Sequence, residues 1–344
     1  MSLVKSTIRR IERVIFASAI GASRTWIDFF AKRDSTGYST GSMRIIASVM
    51  CLLLALVAPP LRAADRLDTV PRVAVVSAFE PEWTRLKASL AEAKSHHANG
   101  VEFVTGTLAG RKVVLFLSGI SMVNAAMSMQ LALDRFDVTG IVVSGIAGGV
   151  DPNLQIGDVA VAARWGQYLE AVFAREADGK FQPPPWAKTP FPNYGMIFPM
   201  DAGVRTTKGA ERRFWFEADA GMLAAAGTIG AIELKRCTPE QACLSHTPRL
   251  VVGGNGVSGQ AFVDNAAFRE YVFKTFNAQV LDMESAAVAM VAYANSVPFI
   301  AFRSLSDLAG GDQGGNEVRT FFQLASDNSA AVVQRFLALW TPPR

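Results

Sequence analysis

From residue 72 onward, short apolar runs alternate with amphipathic stretches along most of the chain. Arg72–Val76 is a β-branched run after Pro71 and predicts a buried strand. Pro81 suits the first turn of a helix, and Trp83, Leu86 and Leu90 follow at helical spacing. His96-His97, before Asn99-Gly100, predicts a polar, solvated loop. Val101–Thr105 and Lys112–Leu117 predict two strands joined by a turn at Gly110, and the Ala/Met-rich stretch Asn124–Leu133 predicts a helix. Ile141–Val143 predicts a fully apolar strand running into a loop, SGIAGGVDPN, over Ser144–Asn153. Gly166–Thr247 breaks the pattern with Pro183-Pro184-Pro185 and many aromatics, and predicts a long decorated insertion. Strand Leu250–Val252, helix Asp264–Phe276, strand Gln279–Asp282, helix Ser285–Ala294 and strand Pro298–Arg303 restore the alternation. Phe321–Trp340 predicts an amphipathic C-terminal helix. This alternation predicts one α/β domain over residues 64–344, its sheet covered on both faces.

The first 63 residues carry a different signal. From Met43 the chain reads MRIIASVMCLLLALVAPPLRA, a charged start, an apolar run over Ile45–Val57 and a small residue after Leu61-Arg62. That is the pattern of a secretory signal peptide. The run is short of the ~20 residues a membrane-spanning helix needs. Residues 43–63 are therefore expected to be cleaved, giving an exported, periplasmic or secreted protein with no stable membrane insertion; residues 1–42 show no comparable pattern. The leader also explains the net charge of +4: residues 1–63 hold nine of the 34 Lys and Arg but three of the 30 Asp and Glu, so the remainder is net −2. A nucleic-acid-binding surface gains no support from that balance. Half of the residues are apolar and 19% are charged, which excludes a disordered chain. Cys51 lies in the leader, whereas Cys237 and Cys243 share a loop-like stretch, RCTPEQACLSH, and are expected to pair after export.

Several site types are missing from residue inventory alone. There is no P-loop, HExxH, GxSxG or CxxC, and the three histidines support neither a histidine-driven triad nor a zinc centre. What remains is carboxylates where predicted strands end, the place where α/β sheets build their sites. Glu82 follows the first strand, Glu284 follows Gln279–Asp282 in LDMESAA, and Asp307 follows Pro298–Arg303 in RSLSDLAGG. Each alone also reads as a helix-start charge or cap. Together with the glycines at 145–149 they form a more specific set.

Those segments resemble the nucleoside phosphorylase/nucleosidase superfamily, most closely its 5′-methylthioadenosine/S-adenosylhomocysteine nucleosidase branch. The match is carried by SAFEPEW (Ser77–Trp83), VVSGIAGGVDPNLQIGDV (Val142–Val159), FVDNAAF (Phe262–Phe268), LDMESAAVA (Leu281–Ala289) and PFIAFRSLSDLAGG (Pro298–Gly311). VDNAAFREYVF and SDLAGG also resemble an exported subgroup related to plant bark storage proteins. The resemblance implies a three-layer α/β/α sandwich around a mixed sheet, no cofactor, no metal, and a homodimer or larger assembly. It implies that Asp307 protonates the purine and Glu82 activates water. Glu284 would hold the ribose hydroxyls with Met283 under the sugar, and Phe262 and Val263 would contact the base. Ile146, Gly148, Ser306 and Arg303 would complete the substrate site. The family's loop more often has Ser or Ala where Ile146 stands. Phosphorylases of the superfamily place a glycine and arginines where this chain has Phe79-Glu80-Pro81-Glu82, and a carboxylate there disfavours phosphate. The expected reaction is hydrolysis of a nucleoside such as 5′-methylthioadenosine, S-adenosylhomocysteine or adenosine. A phosphate-dependent phosphorylase and a non-catalytic nucleoside-binding or storage protein are the alternatives.

Overall fold

The computed structural model describes residues 66–342 apart from Gln313; the leader at 43–63, the stretch 1–42 and Cys51 lie outside the described residues. Strand β1 (Pro71–Ser77) leads into helix α1 (Glu80–Ala88), after which β2 (Ala91–Ala98), β3 (Val101–Leu108) and β4 (Arg111–Leu117) form a meander. Helix α2 (Met122–Arg135) precedes the 13-residue strand β5 (Asp137–Gly149), then β6 (Val159–Val161) and β7 (Arg164–Gln167). The next segment holds β8 (Ala171–Phe173), β9 (Arg175–Ala177), β10 (Lys180–Gln182), β11 (Ile197–Pro199), β12 (Ala202–Thr206), β13 (Gly209–Arg213), β14 (Trp215–Glu217) and α3 (Ala220–Gly227). The chain ends with β15 (Leu250–Val252), β16 (Asn255–Ser258), α4 (Ala266–Phe276), β17 (Ala278–Asp282), α5 (Ser285–Asn295), β18 (Phe299–Asp307) and α6 (Val318–Leu339).

Twelve strands form one mixed sheet, with β5 at its branch point. The body of β5 lies parallel to β1 on one side and to β18 on the other. Its C-terminal end turns to pair antiparallel with β17, Gly148 opposite Leu281 and Gly149 opposite Val280. Gly148 is also the register partner of Asp307 at the end of β18. Strand register alone thus brings the ends of β5, β17 and β18 together.

Alternation along the strands explains the three layers. Ala74, Val76, Val114, Phe116, Ile141, Val143 and Ala301 pack with Ala125 and Met129 of α2 and Ala286 and Ala289 of α5. Their chain neighbours Val73, Val75, Val113, Leu115, Val142, Ile300 and Phe302 pack with Trp83 and Leu86 of α1, Met222 of α3, and Val333 and Phe336 of α6. Each central strand is apolar on both faces because each face meets a helix. The result is the expected α/β fold with a mixed central sheet.

Four local expectations are corrected. His96-His97 sits in edge strand β2, not in a loop; its pairing with β3 supplies order that its polar, largely exposed sequence does not announce. Ser144–Gly149 belongs to β5 instead of a glycine loop, because β18 and β17 supply ladder partners along it. The last core strand runs through to Asp307. Within the stretch read as insertion, β7 and β14 join the central sheet.

Candidate active site

Glu82 lies in the first turn of α1, and its side chain folds back toward the strand that precedes the helix. Oε2 accepts the N–H groups of Ala78 at 2.5 Å and Phe79 at 3.3 Å, while Oε1 accepts the N–H of Ile146 on β5 at 2.8 Å. The carboxylate is therefore both a helix-start charge and a link between α1 and β5. Burial pushes its pKa above the usual carboxylate range, against the pull of Arg303 and the three N–H donors.

Arg303, on β18, is fully buried and meets three carboxylates. Nε lies 2.7 Å from Asp282 Oδ2, Nη2 3.2 Å from Glu284 Oε2 and Nη1 3.5 Å from Glu82 Oε1. Nε also faces Ser285 Oγ at 2.9 Å and Nη1 donates to the Ile146 carbonyl at 3.3 Å. Burial alone would drive a proton off the guanidinium, but Asp282, Glu284 and Glu82 outweigh it and hold the pKa above its ordinary value.

Glu284 stands just before α5. Its Oε1 accepts the N–H of Ser121 at 2.7 Å. Ser121 opens α2 with φ +84°, a costly conformation for a residue with a Cβ, and that conformation aims its N–H at the carboxylate. Burial first, then the neighbouring Asp282 and Glu82, push Glu284 up to about 7 against the pull of Arg303. Asp282 anchors the same turn: its Oδ1 accepts the Ser258 hydroxyl and the N–H groups of Glu284 and Ser285, both at 3.2 Å.

Asp307 ends β18. Oδ1 accepts the N–H of Ala309 at 2.9 Å, and Ser306 Oγ donates to Oδ2 at 2.8 Å. Burial raises its pKa, partly offset by those bonds and reinforced by Asp312. No helix begins at this residue, so its position is not that of a helix cap.

A cavity of about 370 Å³ joins these groups, within the ~300–1,000 Å³ typical of small-molecule sites. Glu82, Glu284, Asp307, Met283, Phe262, Val263, Ile146, Gly148 and Ser306 all line it. Arg303 does not; the sequence expectation that it contacts substrate is corrected, because the guanidinium is enclosed behind the carboxylates it pairs. Cys237 and Cys243 also lie off the cavity, joined by a disulfide. Phe79, Ile120, Asp282 and Val318 line the wall without having been singled out as site residues. Asp282 had a signal in its place at a strand end, directly before Met283-Glu284. The other three are apolar residues that nothing local distinguishes from core. Among the described residues no group of three or more His, Cys, Asp or Glu has a metal-binding arrangement. Every titratable side chain on the cavity wall is a carboxylate. Burial raises the pKa of Glu82, Glu284 and Asp307 among them, and such a site suits proton donation and acceptance.

Comparison with known proteins agrees with the geometry. A family model described as the phosphorylase superfamily matches residues 72–338. The chain is 31% identical to the 5′-methylthioadenosine/S-adenosylhomocysteine nucleosidase of Bacillus thuringiensis over 243 residues, 70% of this chain and 87% of that one. It is 29% identical to the nucleosidase of the same name from Halalkalibacterium halodurans over 269 residues, covering 76% of this chain and 96% of that one. The crystal structure of the Neisseria meningitidis nucleosidase in complex with methylthio-immucillin-A superposes with a TM-score of 0.58 at 25% identity, over 79% of this chain and 99% of that one. The family match takes in every strand and helix that builds the cavity, and the chain belongs to the phosphorylase superfamily.

Proposed function

We propose that the protein is a purine nucleosidase, which hydrolyses the N-glycosidic bond of a nucleoside such as 5′-methylthioadenosine, S-adenosylhomocysteine or adenosine. The observation that carries this reading is a cavity walled by Glu82, Glu284 and Asp307 with no cation on its surface. Asp307, whose pKa burial raises, gives a proton to the purine ring nitrogen as the bond to the sugar breaks. Glu82 takes a proton from the water that attacks the sugar carbon. The products are the free base and the free sugar, which keeps whatever 5′-substituent the nucleoside carried, and both carboxyl groups return to their starting states in the next proton exchange. Glu284 accepts hydrogen bonds from the ribose hydroxyls. Met283 lies under the sugar, and Phe262 and Val263 contact the base, with Phe262 standing 58% exposed. A phosphate nucleophile would face carboxylates unscreened by any cation on the wall, which favours water.

Incubation with 5′-methylthioadenosine, adenosine and inosine, each with and without phosphate, tests the reading. Free base and free sugar should form without phosphate, and phosphate should neither raise the rate nor yield a sugar 1-phosphate. Phosphate-dependent turnover would establish a phosphorylase instead. No base from any of the three would favour the binding or storage reading.

The same proposal includes export, with a mature single domain starting near Ala64. The Cys237–Cys243 disulfide supports an oxidising compartment, and N-terminal sequencing of periplasmic protein checks the start. Affiliation with the exported subgroup that resembles plant bark storage proteins rests on the VDNAAFREYVF and SDLAGG segments. Assembly into a homodimer or larger is supported by Ile120, Val123 and Met127, which expose 51%, 62% and 62% of their surface, Ile120 on the cavity wall itself.

A further inference from the structure

Between β18 and α6, the side chain of Asn316 reaches back to Asp307. Nδ2 of Asn316 lies 3.2 Å from Oδ1 of Asp264 and 3.5 Å from Oδ1 of Asp307. The amide cannot flip freely, because its own Oδ1 accepts the N–H of Val318 at 2.9 Å. Its NH₂ group is thereby turned toward the two carboxyl groups.

The two oxygens of Asp307 have different partners. Oδ1 faces N–H groups, those of Ala309 and Asn316. Oδ2 faces a hydroxyl, Ser306 Oγ, which also lies 3.5 Å from the carbonyl of Ala147. An oxygen whose two lone pairs both accept N–H bonds cannot carry a proton without giving up one of them. A hydroxyl can rotate its hydrogen away, here onto Ala147, and leave Oδ2 free to be protonated.

We infer that Asn316 is a positioning residue for the acid: with the Ala309 N–H it occupies Oδ1 of Asp307, so that the transferable proton is carried by Oδ2. This rests on the nucleosidase reading, in which Asp307 is the proton donor. Asn316 touches the carboxyl group, not the ligand, and acts through it. The charged groups around Asp307 are Asp312 on the same loop, Asp264 beyond the amide, Arg269 of α4 against Gly311, and Glu82, Asp282 and Glu284 on the cavity wall. Asn316 is thus a neutral donor set among mostly acidic neighbours.

The test compares the pH dependence of kcat/KM and the Tm of Asn316→Ala, Asn316→Asp, Asp264→Ala and Asp307→Asn, with 5′-methylthioadenosine and adenosine as substrates. Loss of an N–H donor stabilises the protonated acid, so the alkaline limb of Asn316→Ala should move up by about half a pH unit. Asn316→Asp should move it further, since a like charge replaces the donor. Asp264→Ala removes the amide's other partner and should give no upward shift. Tm should change little in all three, because Asn316 and Asp264 lie in partly exposed loops. An unshifted limb in Asn316→Ala, or an equal upward shift in Asp264→Ala, would overturn the inference while a crippled Asp307→Asn leaves the nucleosidase reading intact. Full activity in Asp307→Asn would sink both.

Discussion

Glu82 and Arg303 meet at 3.5 Å beside the α-carbon of Gly145, where a Cβ would lie 2.3 Å from Oε1 of the one and 2.2 Å from Nη1 of the other. The contact between α1 and β18 exists because β5 carries no side chain at this point. Both partners are pinned by further bonds and cannot swing aside.

Gly145→Ala should therefore damage the site more than its size suggests. The added methyl must push Glu82 or Arg303 out of place, at a cost of about 1–3 kcal/mol, as for other overpacked cores. Tm should fall, and turnover should fall at least tenfold, because the displaced groups are the carboxylate to which the proposed reaction gives water activation and its counter-ion. Gly148→Ala meets Ala309 Cβ at 3.1 Å and Asp307 Oδ1 at 3.2 Å, which is tight but not overlapping, and should be milder in Tm. Thermal melts and steady-state rates on both variants check the order.

Much of the site was legible before any coordinates. Glu82, Glu284 and Asp307 could be picked out because each follows a predicted strand, and strand ends are where α/β sheets build their sites. The partners of these groups were not legible. The Glu82 contacts on Ile146 and Arg303 span 64 and 221 residues, and no local pattern signals a pairing at that range. Gly145–Gly149 read as a loop because glycine weakens a strand in isolation; β18 and β17 override that preference by pairing along it. Strands β7 and β14 were lost for a similar reason, being short and paired with segments far away in the chain. Asn316 carried no signal at all, since its role depends on where a loop folds back.

Glu284 makes stability depend on pH in a direction opposite to that of an ordinary salt-bridged carboxylate. Its pKa is about 7 in the folded protein against 4.5 as the reference. Between those values the folded state binds more protons than the unfolded one. The stability this group contributes is complete below pH 4.5 and is lost as pH rises to about 7. Glu284→Gln cannot ionise and escapes that loss. The difference in Tm between this variant and the parent should therefore shift in favour of the variant from pH 4.5 to pH 7. A difference that stays constant across that window would mean the carboxyl is not held above its reference value.

The disulfide should stabilise without being needed for folding or turnover. Cys237 and Cys243 are six residues apart, so the cross-link removes little freedom from the unfolded chain, about 2–3 kcal/mol at most. Leu244, next to it, packs with Ile156 and with Phe321 and Leu324 of α6, a contact that survives reduction. The double variant Cys237→Ser/Cys243→Ser should melt a few degrees lower, by roughly 2–4 °C per kcal/mol for a domain of this size. It should keep near-parental kcat. Loss of folding in the double variant would show that the loop depends on the cross-link.

Asp307 should be the residue whose loss costs most in the chemical step. A purine leaves as an anion unless its ring nitrogen is protonated, and burial pushes the Asp307 carboxyl above its ordinary range, toward a proton donor. General acid catalysis is worth about 10²- to 10⁴-fold, and Asp307→Asn should lower kcat by at least that range. KM should change less, because an amide still offers a hydrogen bond to the ring. Glu284→Gln should differ in kind: its partner hydroxyls are present in ground and transition states alike, so binding and turnover should both suffer. A purely structural Asp307, holding the Ala309 N–H to shape the turn after β18, would give another pattern. It would cost about 1 kcal/mol of stability, since the amide oxygen still accepts the Ala309 N–H and only the charge on the acceptor is lost, with kcat nearly unchanged. Tm and kcat measured on one Asp307→Asn preparation separate the two, and a destabilised but fully active enzyme would end the assignment of this residue as the acid.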